Sequence, residues 1–241
     1  MKIIVTASIK GGVGKTSTAV FLAQALVTRG HSVLAVDGDH NNNLTDFFLR
    51  DVDPKTLEAR NVYHVLSGKM NPTEALFPTD PGPAVLPATP TLARAAAELG
   101  QDPGALLRFP AALRRLEYQY VVIDTPPALG FELRAALYCA DLVLVPVAFT
   151  RWTVQGFALL ENEFQRATET LGTSPLLRAL PSICTPKEIE LLRTINSWCL
   201  TQTAILKSSA IKTASNYGKS LKEGTQSCND FAALAAEVET L

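Results

Sequence analysis

The stretch Lys10-Gly-Gly-Val-Gly-Lys-Thr-Ser17 decides how the rest of the chain is interpreted. Its glycines let the backbone curl so that several N–H groups point inward, which suits the oxygens of a phosphate. Lys15 can supply a cation for the outer phosphates, and the hydroxyl of Thr16 can bind Mg²⁺. The stretch therefore predicts a cradle for Mg-ATP, formed by Lys10, Gly11, Gly12, Val13, Gly14, Lys15, Thr16 and Ser17.

The sequence around this loop alternates short apolar segments with longer segments of helical periodicity. The predicted strands are Lys2–Ala7, Ser32–Val36, Ala84–Pro87, Tyr120–Ile123, Leu142–Val147 and Leu177–Ile183. The predicted helices are Gly14–Arg29, Leu92–Leu99, Gly104–Leu116, Phe131–Cys139, Val154–Leu171, Glu188–Thr203 and Phe231–Thr240. This alternation predicts an α/β fold, a mostly parallel sheet flanked by helices on both faces. We expect a single domain over residues 1–241.

Carboxylates follow two of these strands. Asp37 and Asp39 come at the end of the second strand, and Asp124 ends the fourth. Open α/β sheets bind their ligands at the carboxyl ends of the strands, so these side chains are candidate site residues. The alternative is that each aspartate only caps a turn.

The phosphate loop departs from the usual Gly-x-x-x-x-Gly-Lys-[Ser/Thr] pattern, since Ile9 replaces the first glycine and Lys10 is an additional lysine. The form Lys-Gly-Gly-x-Gly-Lys-[Ser/Thr] resembles the deviant loop of the ParA/MinD family of dimeric ATPases. Val33–Asp39 resembles the first switch of that family, and Tyr120–Pro127 resembles its Walker B strand and second switch. The resemblance covers nearly the whole chain, most strongly the first two thirds, and implies the P-loop NTPase fold.

The resemblance also implies roles for single residues. Lys10 would reach the ATP of a partner protomer across a homodimer interface, and Lys15 would stabilise the β- and γ-phosphates. Thr16 and Asp124 would hold Mg²⁺, Asp39 would position the attacking water, and Asp37 would belong to the nucleotide site. Where the family usually continues the first switch with Pro-Gln, this chain has His40-Asn41. Whether Asn41 or Asn43 helps to position water stays open.

The charge distribution bears on partners. The net charge is −1, so binding to DNA needs a local patch. The segment from Arg178 to Glu223 contains three acidic residues and seven basic ones: Arg178, Lys187, Arg193, Lys207, Lys212, Lys219 and Lys222. These predict non-specific DNA binding, with scattered solvated lysines as the alternative.

The chain starts directly at the first strand, so we expect no N-terminal operator-reading extension. The acidic last helix, Asp230–Leu241, predicts no stable membrane binding.

Three functions remain possible at this stage. The first is a ParA-like ATPase, cytoplasmic and nucleoid-associated, that segregates or positions DNA or another large cargo. A ParB-like partner would stimulate its ATP hydrolysis. The second is a metabolic ATP-dependent ligase or synthetase of the same superfamily, and the third is a MinD-like membrane switch. We find no secretory signal and no cysteine spacing typical of a metal site. The phosphate loop and the family resemblance make ATP and Mg²⁺ the expected cofactors.

Overall fold

The computed structural model describes residues 1–102, 104–195 and 197–241, apart from the side chains of 151–154. Its centre is a seven-stranded sheet with the strand order β3-β2-β4-β1-β5-β6-β7, in which all neighbouring strands run parallel. The strands are β1 (Lys2–Thr6), β2 (Val33–Asp37), β3 (Ala84–Leu86), β4 (Tyr120–Asp124), β5 (Leu142–Val147), β6 (Leu176–Cys184) and β7 (Ile205–Leu206). The predicted parallel sheet is confirmed.

Helices cover both faces of this sheet. Those described are α1 (Lys15–Thr28), α2 (Asn43–Leu49), α3 (Pro54–Ala59), α4 (Val62–Leu66), α5 (Pro72–Ala75), α6 (Ala95–Leu99), α7 (Ala105–Leu113), α8 (Phe131–Leu137), α9 (Arg151–Leu171), α10 (Pro186–Arg193), α11 (Ser209–Tyr217) and α12 (Gln226–Thr240). No helix among the described residues is both long and apolar enough to cross a membrane. The prediction of one domain over residues 1–241 stays a prediction.

The apolar side chains of the strands alternate between two cores. Ile3 and Val5 of β1 pack on the side of α4 and α6–α8, whereas Ile4 packs on the side of α1 and α12. Successive side chains of a strand point to opposite faces, so a strand buried on both faces must be apolar throughout. This explains why the Ile- and Val-rich runs were recognisable as strands in the sequence.

The last helix packs firmly against the first one. The rings of Phe21 in α1 and Phe231 in α12 lie 5.3 Å apart between centroids. Glu239 of α12 accepts hydrogen bonds from Arg29, and its Oε1 lies 2.7 Å from Nε2 of His31. These contacts lower the pKa of Glu239 to about 2, and the hydrogen bonds from Arg29 have the largest effect. The acidic residues that the sequence shows in α12 thus include one that anchors the helix to α1.

One predicted helix is wrong over much of its length. Helix α10 ends at Arg193, whereas periodicity predicted a helix over Glu188–Thr203. The chain instead turns back to β6: the N–H of Ala179 donates to the carbonyl of Cys199 (2.9 Å), and the N–H of Thr201 donates to the carbonyl of Ala179 (3.0 Å). Hydrogen bonds to the sheet have replaced those that would have continued the helix. The element order also adds α2–α5, β7 and α11, which the sequence did not predict.

Candidate functional site

The glycine loop lies between the end of β1 and the start of α1. Gly14 is the N-cap residue of α1 and has a φ of 94°, which L side chains rarely adopt. A Cβ at this position would also lie 3.0 Å from the hydroxyl oxygen of Ser182 in β6. Only glycine therefore fits here, because both the backbone conformation and the neighbouring strand exclude a side chain. The loop N–H groups and the positive end of α1 are brought to one place.

The two lysines of the loop point to different surroundings. Lys15 is only 7% exposed, and its ammonium donates to the carbonyl of Lys10 (3.3 Å). Burial lowers the pKa of Lys15, while Asp124 and Asp39 oppose this shift. Lys10 is half-buried, and its ammonium donates to the hydroxyl of Thr150 just before α9 (2.8 Å). Lys15 thus belongs to the interior of the site, whereas the side chain of Lys10 lies outside the loop.

Three neighbouring strands end at the same level and bring their polar side chains together. Thr6 of β1 and Asp37 of β2 both lie in register with Asp124 of β4. The turn after β2 is tight: the N–H of Gly38 donates to the carbonyl of Asp124 (2.9 Å), and a Cβ on Gly38 would lie 2.6 Å from that oxygen. A glycine between Asp37 and Asp39 therefore allows the first switch to lie directly against β4.

Asp124 is fully buried and incompletely bonded. Its Oδ1 accepts from the N–H of Thr125 (3.0 Å) and from the hydroxyl of Thr6 (3.3 Å), while its Oδ2 has no partner among the described residues. Burial raises its pKa to about 7, and Asp37 adds to this. The neighbouring Thr16 hydroxyl and the ammonium of Lys15 act in the opposite direction and lower the pKa.

This arrangement fits a divalent cation. The unpartnered Oδ2 of Asp124 and the hydroxyl of Thr16 are both hard oxygen donors, which Mg²⁺ prefers. A cation here would also favour the ionised form of Asp124 over the protonated form that burial favours. The donor set that the sequence predicted for Mg²⁺ is therefore brought together by the fold.

Asp37 has a different environment from Asp39. It is fully buried, its Oδ2 accepts from the N–H (2.8 Å) and hydroxyl (2.7 Å) of Thr45, and its Oδ1 accepts from the N–H of Asp39 (3.1 Å). Burial raises its pKa to about 6, against the lowering effect of the Thr45 hydrogen bonds. Asp37 thus ties β2 to α2, and its predicted place among the nucleotide-binding residues stays a prediction.

Asp39 is also buried, with an exposed fraction of 5%, and its neighbours include groups that the sequence did not single out as its partners. Its Oδ1 accepts from the N–H (3.0 Å) and from the side-chain amide (2.9 Å) of Asn41, and the ring of His40 lies 3.8 Å away. Glu132 of α8 is also close. Burial raises the pKa of Glu132, its own backbone N–H and His40 lower it, and Asp39 raises it further. A second carboxylate, from α8, is therefore close enough to Asp39 to interact with it electrostatically.

A cleft of about 860 Å³ opens in front of the loop. One wall is the glycine loop with the first switch, and the opposite wall is formed by the end of β6, β7 and α11. Ile183 lies on this second wall with a φ of 57°, a left-handed conformation that is strained for a β-branched residue. The cleft is lined by Gly11, Gly12, Gly14, Lys15, Thr16, Ser17, Asp39, Asn41, Asn43, Pro127, Ile183, Leu206, Lys207, Ser208, Ser209, Ile211, Lys212, Ser215 and Asn216.

The cleft contains most, but not all, of the residues that the sequence predicted for the nucleotide. Asp124 lies buried behind the loop beside Thr16 and Lys15. Val13 is buried beneath the loop, and Lys10 and Asp37 are outside the lining. The wall from β6 to α11 was missed, since nothing in an isolated Ile183 or in the Ser-rich start of α11 indicates a ligand.

The sequence is similar to those of known proteins. Residues 1–176 match a protein family described as an AAA domain. The chain is 38% identical over 182 residues to the chromosome-partitioning ATPase Soj of Thermus thermophilus, covering 76% of this chain and 68% of that one. The chain spans about two thirds of the length of the curated relatives it matches.

Solved structures extend the similarity to the C-terminal third. Apo McdA from Cyanthece superposes with a TM-score of 0.85 at 25% identity, covering 99% of both chains. The cobyrinic acid a,c-diamide synthase of Mycobacterium smegmatis, solved with a bound ATP analogue and magnesium, superposes with a TM-score of 0.83 at 25% identity, covering 98% of this chain and 93% of that one. The fold that these proteins share therefore includes the second wall of the cleft.

Proposed function

The chain belongs to the ParA/MinD family of P-loop ATPases, and from this premise we propose that it is a ParA-like partition or positioning ATPase working as an ATP-dependent dimer. ATP and Mg²⁺ are its cofactors, as the bound nucleotide and magnesium of its structural relatives support. Lys15 contacts the β- and γ-phosphates, Thr16 and Asp124 bind the cation, and Asp39 orients the attacking water. When bound, Mg²⁺ neutralises charge that develops on the phosphates.

The placement of Lys10 is the observation that carries the dimer. Its ammonium donates to the hydroxyl of Thr150 and lies outside the cleft of its own protomer, although Lys10 is the first residue of the phosphate loop. A lysine held at the rim of the site can reach the nucleotide of a second copy that docks face to face. The resemblance to a family of dimeric ATPases implies that this second molecule is another copy of the same chain. ATP bound between the two protomers would join them.

Replacing Lys10 by Ala should separate nucleotide binding from dimerisation. We expect the variant to bind ATP within about threefold of the wild type, because Lys15 and the loop N–H groups remain. It should nevertheless sediment as a monomer in ATP at concentrations where the wild type is a dimer. Lys55→Ala, on α3, is the matched control for loss of one surface lysine. An ATP-dependent dimer of Lys10→Ala would remove the case for a lysine acting across the interface.

The closed dimer binds DNA without sequence preference in this proposal. Of the basic residues between Arg178 and Glu223, Lys207 and Lys212 line the nucleotide cleft and are therefore unsuitable as DNA contacts. Lys219 and Lys222 are exposed just after α11, beside Tyr217, whose side chain is 64% exposed. Two exposed lysines three residues apart can neutralise phosphates of a nucleic-acid backbone, so Lys219 and Lys222 are the preferred contacts.

Salt dependence tests this surface. With two lysines from each protomer on phosphates, the logarithm of the DNA affinity should fall with the logarithm of salt concentration with a slope of roughly −4. The double variant Lys219→Gln/Lys222→Gln should flatten that slope and lose DNA while it keeps ATP. The control Lys55→Gln/Lys69→Gln removes the same charge elsewhere and should change neither. Undiminished DNA binding by the first variant would place the contact surface elsewhere on the dimer.

A metabolic ligase is the second candidate, because the structure superposes on an amide-forming synthase over nearly its whole length. The closer sequence similarity is to a partition ATPase, which favours the first candidate. The two are distinguished by what stimulates ATP turnover: DNA with a ParB-like protein for the partition ATPase, and a small carboxylic acid with an amide donor for the ligase.

A MinD-like membrane switch is disfavoured because the apolar side chains of α12, such as Leu234 and Val238, are buried against the rest of the chain.

The cellular location follows from the same proposal. A ParA-like dimer that holds DNA through Lys219 and Lys222 would be cytoplasmic and associated with the nucleoid. A ParB-like protein on the cargo would stimulate hydrolysis and release the dimer. Without that partner, or with the partner and no DNA, ATP turnover should stay low.

A further inference from the structure

Helix α11 presents different side chains to two separate cavities. Ile211, Lys212, Ser215 and Asn216 line the nucleotide cleft. Ala210, Thr213, Ala214 and Tyr217 instead line a second cavity of about 490 Å³, together with Lys219 and Lys222. The first set has the spacing of one helical face. Lys212 of α11 therefore differs from Lys219 and Lys222, which follow the helix, because it faces the nucleotide cleft and not the proposed DNA surface.

The position of Lys212 relative to the phosphate loop is set by a direct contact. The hydroxyl oxygens of Ser215 in α11 and Ser17 in α1 lie 3.4 Å apart. Lys212 lies three residues before Ser215 on the same face, which is about 4.5 Å along the helix axis. Since the lysine side chain has a flexible four-carbon stem, its ammonium can reach a group bound beside Ser17.

The charges of the cleft favour a ligand with several negative charges. Its lining contains three cations, one in the loop and two on the opposite wall, against a single carboxylate: Lys15, Lys207, Lys212 and Asp39. Lys207 has a nearby carboxylate, that of Glu188. Hydrogen bonds from Thr185 lower the pKa of Glu188 most, and the charge of Lys207 lowers it further. Lys212 forms no ion pair with any residue that the structure describes.

We propose that Lys212 binds the α-phosphate of the nucleotide and so supplies a phosphate contact from outside the glycine loop. Thr16, with Asp124, forms the cation site next to the outer phosphates, and Ser17 lies one residue further along α1. An ammonium group that approaches beside Ser17 therefore lies next to the α-phosphate, at the inner end of the triphosphate. The inference rests on the proposed nucleotide site and adds a residue to it.

The test is nucleotide affinity, measured by calorimetry on the full chain with Mg²⁺. Lys212→Gln should weaken ATP and ADP by the same factor, about tenfold, because both nucleotides keep the α-phosphate. Lys212→Arg should recover most of the loss. Lys55→Gln, which removes a charge from the exposed surface of α3, should bind both nucleotides like the wild type.

The possible outcomes are distinct. Equal weakening of ATP and ADP, with adenosine binding unchanged, supports the assignment. Weakening of ATP alone would place Lys212 at the γ-phosphate, and equal weakening of adenosine would place it at the base or sugar, so either result overturns the proposal. Wild-type affinity of Lys212→Gln overturns it as well. Failure of the wild type to bind any nucleotide would instead contradict the proposed function.

Discussion

Replacing Lys15 by Ala or Gln should abolish measurable ATP binding, with a loss of at least about 100-fold in affinity. The ammonium of Lys15 is almost fully buried, and its described hydrogen bond is to the carbonyl of Lys10, so it is placed to bind phosphate oxygens. Hydrogen bonds to charged groups contribute roughly 1.5–3 kcal/mol each, and a lysine on two phosphates makes more than one. Calorimetry with Mg-ATP measures the effect.

The control for this variant separates loss of a contact from loss of the fold. Asp124 and Asp39 are both close enough to Lys15 to raise its pKa, so its removal also takes this cation away from two carboxylates. A thermal unfolding curve for Lys15→Gln should therefore be compared with that of Lys10→Ala. A folded Lys15→Gln protein that binds ATP with near-wild-type affinity would show that the loop is not the phosphate site.

Replacing Asp39 by Ala should leave ATP binding and dimerisation intact while hydrolysis falls by about 100-fold or more, the usual scale for loss of a group that orients or activates the nucleophile. Asp39 lies at the cleft surface with Oδ1 held by Asn41, and no hydrogen bond to its Oδ2 is found among the described residues. That oxygen is the one available to a water. Steady-state phosphate release, with and without DNA and the partner protein, measures the effect.

Asp37→Asn is the matched comparison for Asp39→Ala. Asp37 carries the same charge two residues earlier, but both of its oxygens are bonded within the fold, so its replacement should reduce stability more than turnover per folded molecule. Normal stimulated turnover by Asp39→Ala would move the water-orienting role to another carboxylate, with Glu132 the nearest candidate on α8.

The sheet was predictable because its signals are local. All six predicted strands exist, since strands buried on both faces must be continuously apolar, and that signal is contained in each short segment. The glycine loop, Asp39 and Asp124 could be proposed as site residues because their motifs are short and each lies at or shortly after the end of a strand. Parallel strands then bring those ends to the same edge without further information.

The features that the sequence did not reveal depend on contacts between distant residues. No glycine or proline marks the end of α10 at Arg193; the chain leaves the helix there to pair with Ala179 in β6. The clamp of Thr45 on Asp37 and the approach of Glu132 to Asp39 likewise join separate elements. Helix α11 was unpredicted, so the second wall of the cleft, with Lys212, could only be found in the structure.

The central claim is that ATP joins two copies of this chain, and the molar mass of the protein in solution tests it most directly. Light scattering should give about 26 kDa in Mg-ADP and twice that mass in Mg-ATP, with Asp39→Ala used to prevent hydrolysis during the measurement. Removal of ATP should return the monomer. A mass that stays at one protomer in saturating Mg-ATP, under conditions where calorimetry shows the nucleotide bound, would contradict the account.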